Sequence, residues 1–133
     1  MKKDIEFTKV ENVFMAIVKE YNKEFQCDDW NAYIINNKEV AIDMVLIVSK
    51  GYNEDTLQET AVLRHKIESM PAKSFAKVEL MQENLLTLTN FFNVTFFEGN
   101  KMLDRRYSFE KGTVKEETLR MIPLLEKRGV LLK

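Results

Sequence analysis

The alternation of apolar and polar positions is clearest in "EVAIDMVLIVSK", residues 39 to 50. Its apolar side chains recur with a period of two, which predicts a strand with these residues on one face: Val40, Ile42, Met44, Leu46 and Val48. The preceding run "DDWNAYIINNK" is also rich in strand-forming residues, and it ends at Asn36 and Asn37. Because Asn tolerates the backbone of tight turns, we expect residues 29 to 49 to form a β-hairpin.

A second hairpin is predicted from "LLTLTNFFNVTFFEGNKMLDRRYSFE", residues 85 to 110. Gly99 and Asn100 mark its turn. On each side of the turn, apolar residues recur at alternate positions and would share one face of the strand: Leu86, Leu88, Phe92, Val94 and Phe96, then Leu103, Tyr107 and Phe109. Residues 13 to 21 and 74 to 80 are shorter strand candidates, because Val, Ile and Phe are frequent in them.

The stretch "TAVLRHKIESMP", residues 60 to 71, fits two structures. As a strand it places Ala61, Leu63, His65 and Ile67 on one face, whereas as a helix it forms an imperfect apolar stripe. The strand agrees better with a chain that otherwise predicts strands up to residue 110. A helix over residues 55–70, which would make the fold α+β, is the alternative.

The tail after residue 112 has a different pattern. The sequence "TVKE" at 113 to 116 has the form of a capping box, which predicts the start of a short helix. Pro123 would end or kink that helix near Met121, and Gly129 would end the next turn. We therefore expect one domain over 1–133, strand-rich over 1–110 with a helical tail over 113–133. The predicted fold is mainly β, an immunoglobulin-like β-sandwich with a short C-terminal helix.

Composition limits the classes of protein that fit. A chain of 133 residues is long enough for one hydrophobic core. No apolar run approaches the ~20 residues of a membrane span, and the single cysteine, Cys27, fits a reducing compartment, so we expect a cytoplasmic protein. Residues 1–100 carry 11 basic and 16 acidic side chains, whereas 101–133 carry 9 and 5, so the tail is basic.

Eight short pieces of the sequence, spread nearly from end to end, resemble a family of small uncharacterised bacterial proteins. The pieces are "KKDIEF", "KVE", "AIVKE", "WNAYIINN", "VSKGY", "LRH", "SFAKVE" and "IPLLEKRGVLLK". The resemblance implies an immunoglobulin-type sandwich and no activity or site residues. Some members carry a label that refers to a phenylalanyl-tRNA synthetase subunit, but this chain lacks the large catalytic domain and the extended ATP-binding motifs that such an enzyme needs.

Catalytic and metal-binding patterns are sparse. One histidine and one cysteine are too few for a zinc site of the usual composition, and no Gly-rich phosphate loop is present. We therefore predict no metal, no cofactor and no catalytic residue. An enzyme would require a pocket that holds His65 with a carboxylate or with Cys27.

The candidate binding residues are Phe91, Phe97 and Arg106. The two phenylalanines lie on the opposite face of their strand from its main apolar set. They are therefore either covered by the tail, through Leu119, Ile122 and Leu125, or exposed to a partner. Arg105 and Arg106 should point to opposite faces of their strand, and Arg106 could contact an acidic partner. The sequence thus predicts a non-enzymatic interaction module whose partner is a protein or a second copy of the chain. The alternative is a protein that binds nucleic acid through the basic tail. The third hypothesis is a small enzyme that uses His65.

Overall fold

The computed structural model describes residues 9–133, in which the regular structure consists of strands and two short 3₁₀ helices. The 3₁₀ helices span Glu83–Thr87 and Glu116–Thr118. The ten strands are β1 (Val13–Asn22), β2 (Cys27–Asn36), β3 (Ile42–Asn53), β4 (Gln58–Glu59), β5 (Leu63–Met70), β6 (Ser74–Met81), β7 (Thr89–Glu98), β8 (Lys101–Phe109), β9 (Arg120–Ile122) and β10 (Lys127–Leu132).

The strands form two antiparallel sheets. The first sheet has the order β6-β2-β1-β10-β9. In the second sheet β3, β7 and β8 lie side by side, and β4 and β5 pair with different parts of the free edge of β3. The mainly β prediction is therefore confirmed.

The core lies between the two sheets. Ile17 and Ile34 of the first sheet belong to the same buried cluster as Ile47, Phe92 and Phe96 of the second. The hydroxyl of Tyr107, in β8, donates a hydrogen bond to the carbonyl of Val13 and so joins the sheets inside the core. Burial raises the pKa of Tyr107 to about 12, so this hydroxyl keeps its proton at neutral pH.

Residues 63–70 form a strand, as the chain context predicted, and the alternative helix over 55–70 is wrong. β5 pairs with β3 from Ile42↔Met70 to Ser49↔Leu63. His65 and Ile67 are half-buried on the core side, whereas Arg64 and Lys66 are exposed. This segment forms a strand because the edge of β3 opposite β7 is free to pair with it.

The predicted hairpin over residues 29 to 49 is wrong, because β2 and β3 lie in different sheets. Asn36 is completely buried where the chain crosses between them. Its Nδ2 donates to the carbonyls of Val40, Met70 and Pro71, and its Oδ1 accepts from the amide of Lys38. Asn36 thus fixes a crossover rather than a tight turn. The hairpin through Gly99, by contrast, is confirmed.

β3 buries the opposite parity from the one that the pattern indicated. Val45 and Ile47 are fully buried, whereas Met44 and Leu46 are 52% and 40% exposed. A bulge between Asp43 and Leu46, with Met44 at φ 51°, shifts the alternation. Residues 45–48 are all apolar, so the sequence could not show which parity faces the core.

The predicted C-terminal helix is also wrong. After the 3₁₀ turn at Glu116–Thr118, the tail forms the β9–β10 hairpin, and β10 lies between β1 and β9. Thr113 does not begin a helix, since its hydroxyl donates to the carbonyl of Glu110. Pairing of residues 129–132 with β1 supplies the backbone hydrogen bonds that a helix would have made.

The β9–β10 hairpin covers the middle of the outer face of the first sheet. A second apolar cluster forms there, in which Ile122 and Leu125 pack with residues of β1 and β2: Ala16, Val18, Tyr33 and Ile35. Gly129 lies beneath this contact. A Cβ at Gly129 would lie 2.6 Å from the carbonyl oxygen of Ile17 and 2.8 Å from side-chain carbons of Val18 and Ile122.

We therefore expect Gly129→Ala to lower the free energy of unfolding by about 1–3 kcal/mol, because the added methyl group overpacks this site. Urea denaturation measures the change. Gly99→Asn is the matched control, since nothing lies within 4 Å of its Cβ position and Asn tolerates a positive φ. A Gly129→Ala protein with the native midpoint would contradict the tight packing.

Glu20 connects three strands of the first sheet. Its carboxylate accepts hydrogen bonds from Asn31 and Tyr33 of β2, both at 2.7 Å, and Lys127 of β10 lies 3.0 Å away. Burial alone would raise the pKa of Glu20, but these three donors together hold it below its ordinary value of 4.5. The group therefore contributes stability above that value, and this contribution is lost as pH falls through the lower pKa of the folded state.

We accordingly expect Glu20→Gln to reduce the loss of stability on acidification. The variant should be less stable than the native chain at neutral pH, and the two unfolding midpoints should converge in acid. Glu24→Gln, a change of an exposed side chain, should retain the native pH profile. Urea midpoints measured from neutral to acid pH test this, and parallel profiles for Glu20→Gln and the native chain would contradict it.

Candidate functional site

The three predicted binding residues lie on one face, the outer face of the second sheet. Register places Phe91 beside Lys50 and Ser108, and Arg106 beside Asn93, all with side chains directed away from the core. Arg106 lies over the ring of Phe91, with 4.0 Å from its Cζ to the ring centroid. Phe97 lies six residues further along β7 on the same face.

This outer face is apolar at its centre and has more cations than carboxylates around it. The carboxylates include Asp104, which accepts from Thr95, and Asp43 beside Phe97. Leu46 and Met102 are 40% and 62% exposed, and Phe91 and Phe97 are half-buried. Lys50 is paired with Glu59 at 2.7 Å. Among the residues that the structure describes, three further cations of this face make no salt bridge: Arg64, Lys66 and Arg106.

The tail does not cover Phe91 and Phe97. Leu119 lies in the core between the sheets, and Ile122 and Leu125 pack on the outer face of the first sheet. The expected cover therefore belongs to the other sheet, since β10 pairs with β1. Within residues 9–133, the three residues expected to cover Phe91 and Phe97 therefore lie elsewhere.

Arg105 points away from Arg106, as alternation along a strand requires. Its guanidinium stacks on Tyr107, 4.4 Å from the ring centroid, and donates to the carbonyl of Lys133. Arg105 thus holds the end of the chain, and Arg106 alone of the pair belongs to the outer face of the second sheet.

A polar cluster that the sequence did not predict lies between the sheets at their β5 and β6 edges. Glu79 of β6 would alternate outward, but a bulge in the β2–β6 register turns its side chain inward: Tyr33 pairs with Lys77 and Ala32 with Glu79, so that Val78 is the extra residue. Only 8% of the Glu79 side chain is exposed. Bulges that redirect a side chain are frequent next to functional sites.

Two side chains of the second sheet meet the carboxylate of Glu79. The hydroxyl of Ser49 donates to Oε1 at 2.6 Å, and Nε2 of His65 lies 3.0 Å from the same oxygen. Both polar groups therefore approach one acceptor from the opposite sheet. Ser49 itself is 4% exposed and would otherwise be a polar residue in the core.

This cluster is not the arrangement of a hydrolase triad. In a triad the histidine accepts the proton of the nucleophile and a carboxylate orients the histidine, whereas here Ser49 donates to Glu79 directly. Cys27 is exposed at the β1–β2 turn, where its thiol contacts Asp29 at 3.8 Å. Burial, Asp29 and Asp28 all raise the pKa of that thiol, which disfavours a reactive thiolate.

A cleft of about 270 Å³ opens beside the polar cluster. Its walls combine apolar side chains with hydrogen-bonding groups: Leu63, Leu85, Phe91 and Phe92, together with Ser49, Thr60, Glu79 and Asn90. Phe91 thus lies at the boundary between the cleft and the outer face of the second sheet.

The cations of the tail do not gather on one surface. Lys111 lies 3.0 Å from Asp55 and Lys127 lies 3.0 Å from Glu20. The guanidinium of Arg120 donates to the carbonyls of Glu117 and Leu119. This arrangement lacks the continuous basic stripe that the nucleic-acid alternative requires.

Across residues 9–133, no three His, Cys, Asp or Glu side chains come together as a group that could hold a metal ion. Within the same residues, no helix has the length and apolar character needed to cross a membrane. Comparisons with known protein families, with curated proteins and with solved structures found no match.

The polar cluster generates a prediction about stability. Glu79→Ala should lower the free energy of unfolding by about 1–3 kcal/mol, because Ser49 and His65 would lose their acceptor in a partly buried place. Glu79→Gln keeps an acceptor oxygen and should cost less. Glu59→Ala, on the surface, should stay within about 0.5 kcal/mol of the native protein in urea denaturation. Equal stabilities of Glu79→Ala and Glu59→Ala would show that the cluster contributes nothing.

Proposed function

We propose that the protein is a non-enzymatic interaction module, and that the outer face of its second sheet binds a protein partner with an acidic surface. The observation that carries this proposal is the mixed character of that face within residues 9–133. Leu46 and Met102 are 40% and 62% exposed beside the half-buried Phe91, and the nearby cations Arg64, Lys66 and Arg106 make no salt bridge.

The apolar centre supports binding energetically. Removal of apolar surface from water contributes about 25 cal/mol per Å², and aromatic and Met side chains are enriched at protein interfaces. The ring of Phe91 is held in place by Arg106, so little side-chain freedom remains to be lost on binding.

The cations indicate the charge of the partner. Arg64, Lys66 and Arg106 flank the apolar centre without a salt bridge in the described chain. Arg64 and Arg106 lie at opposite ends of one row across the sheet. A second copy stacked on this face about a two-fold axis that runs along the strands at the middle of the row would therefore bring Arg64 opposite Arg106. Like-charge contacts of this kind disfavour association, so a different protein with acidic residues fits better than self-association.

The other expectations have less support. The nucleic-acid hypothesis is weakened by the scattered pairing of the tail's cations, and the enzyme hypothesis by Ser49, which donates to Glu79 rather than to His65. The likeness to an immunoglobulin domain is limited to the architecture of two stacked sheets. The first strand of an immunoglobulin domain lies at a sheet edge, whereas β1 lies between β2 and β10. A bacterial, cytoplasmic origin is part of the proposal, supported by the sequence resemblance and by the lone cysteine.

Site-specific photo-crosslinking in the native cell tests the proposal. A photoreactive side chain at Asn93, exposed in the middle of this face, should form a crosslink to a protein, whereas one at the exposed Tyr21 of the first sheet should not. Because the contact depends on charge, Arg64→Glu with Arg106→Glu should abolish the crosslink. The free energy of unfolding should fall by no more than about 1–2 kcal/mol, mainly through loss of the stacking of Arg106 on Phe91. Lys23→Glu with Lys133→Glu is the matched control of equal charge and should retain the crosslink.

The result also separates the alternatives. A crosslink from Asn93 to nucleic acid would replace the proposal with the nucleic-acid hypothesis, and a crosslink to a second copy would replace it with self-association. A protein crosslink that persists in the Arg64→Glu, Arg106→Glu variant would refute the acidic character of the partner.

A further inference from the structure

The cleft beside Glu79 borders the proposed docking face at Phe91 but has its own chemistry. Both hydrogen bonds that Glu79 accepts in the described chain end on Oε1. The second oxygen, Oε2, therefore keeps its capacity to accept, on a side chain that is only 8% exposed. A carboxylate in such a place is stabilised when a cation or additional donors approach it.

The chain provides little countercharge in the cleft. Lys50 is the one lysine or arginine among the cleft residues that the structure describes, and its Nζ lies 2.7 Å from Glu59. His65 contributes a charge only when it is protonated, and Ser49 is neutral. A ligand that brings a positive charge would therefore complete the site.

A second acceptor lies in the same cleft. Nδ2 of Asn90 donates to the carbonyls of Leu85 and Leu88, at 2.8 and 3.2 Å, so the amide is oriented from one side. Its Oδ1 lies 3.1 Å from where a Cβ would stand on Gly51, and the methyl group of Thr60 lies 2.9 Å from the same point. Glycine is therefore needed for the close packing beside the Asn90 oxygen, and in the described chain that oxygen accepts no hydrogen bond.

The remaining walls are apolar and set the size of the ligand. Leu63, Leu85 and Phe92 line the cleft. Sites for drug-sized molecules measure about 300–1,000 Å³, so a volume of about 270 Å³ fits a compound with a few carbon atoms. A carboxylate and an amide oxygen within an apolar wall match an ammonium group on a short aliphatic chain.

We propose that this cleft binds a small primary aliphatic amine, or the amine end of a longer molecule, with its ammonium group held by Oε2 of Glu79 and Oδ1 of Asn90 and its hydrocarbon chain against Leu63 and Leu85. The bulge at Val78 serves the site, because it turns Glu79 toward the cleft instead of toward solvent.

Titration of the full-length protein with n-butylammonium chloride, followed by NMR amide shifts, tests this site. We expect saturable shifts at Ser49, Leu63 and Asn90, and none from n-butanol, which has the same carbon chain without the charge. Glu79→Gln retains the acceptor for Ser49 and His65 but removes the charge, so binding should weaken about tenfold or more, as for loss of a charged hydrogen-bond partner. Glu68→Gln, a change of an exposed carboxylate of β5 that does not line the cleft, should bind as the native protein does.

Three results would overturn the proposal: no saturable shift with n-butylammonium, equal binding of n-butanol, or undiminished binding by Glu79→Gln. The comparison of amine with alcohol uses the native protein, so it decides the matter even when a variant folds poorly. Amine binding should persist in the Arg64→Glu, Arg106→Glu variant, which separates this site from the docking face.

Discussion

The structure depends on the need to cover both faces of β1 and β2. Residues 15–18 of β1 and 32–35 of β2 are buried without alternation, so each strand presents apolar side chains on two sides. Such strands are stable only when both sides are removed from water. The second sheet covers one side, and the β9–β10 hairpin covers the other. The placement of the tail in the first sheet follows from this requirement.

The same requirement explains why the two outer faces differ. The hairpin can cover only one sheet, and β10 is committed to β1 by backbone pairing over residues 129–132. The second sheet therefore meets solvent with a mixed face, on which Arg106 partly shields Phe91.

Sequence reasoning predicted the strands well and their partners poorly. Period-two patterns located β1, β6, β7 and β8, because each of these strands alternates or is rich in strand-forming side chains. The assignment of residues 29 to 49 to a hairpin failed because a turn-like "NN" does not show whether the chain reverses within a sheet or crosses between sheets. The helical tail failed because local capping signals were weaker than the free edge of β1.

The residues of the candidate site also differ in how far the sequence alone could predict them. The placement of Phe91, Phe97 and Arg106 on a common face follows from strand parity and register, which the sequence shows in part. Glu79 could not have been found, because its inward direction depends on a bulge that is visible only in the pairing of β6 with β2. Ser49 offered a weak signal, since a serine at the end of an apolar run marks a polar place in a core.

The position of β10 has a consequence for biosynthesis. β1 leaves the ribosome well before its neighbour β10, because β1 spans Val13–Asn22 and β10 spans Lys127–Leu132. Until those residues emerge, one edge of β1 has no strand to pair with, and the apolar cluster above Ala16 and Val18 lacks its lid. An unpaired edge of this kind can join other nascent chains. The protein should therefore be most vulnerable to aggregation during its own translation, and a chaperone that binds apolar segments near the exit tunnel would protect it at that stage.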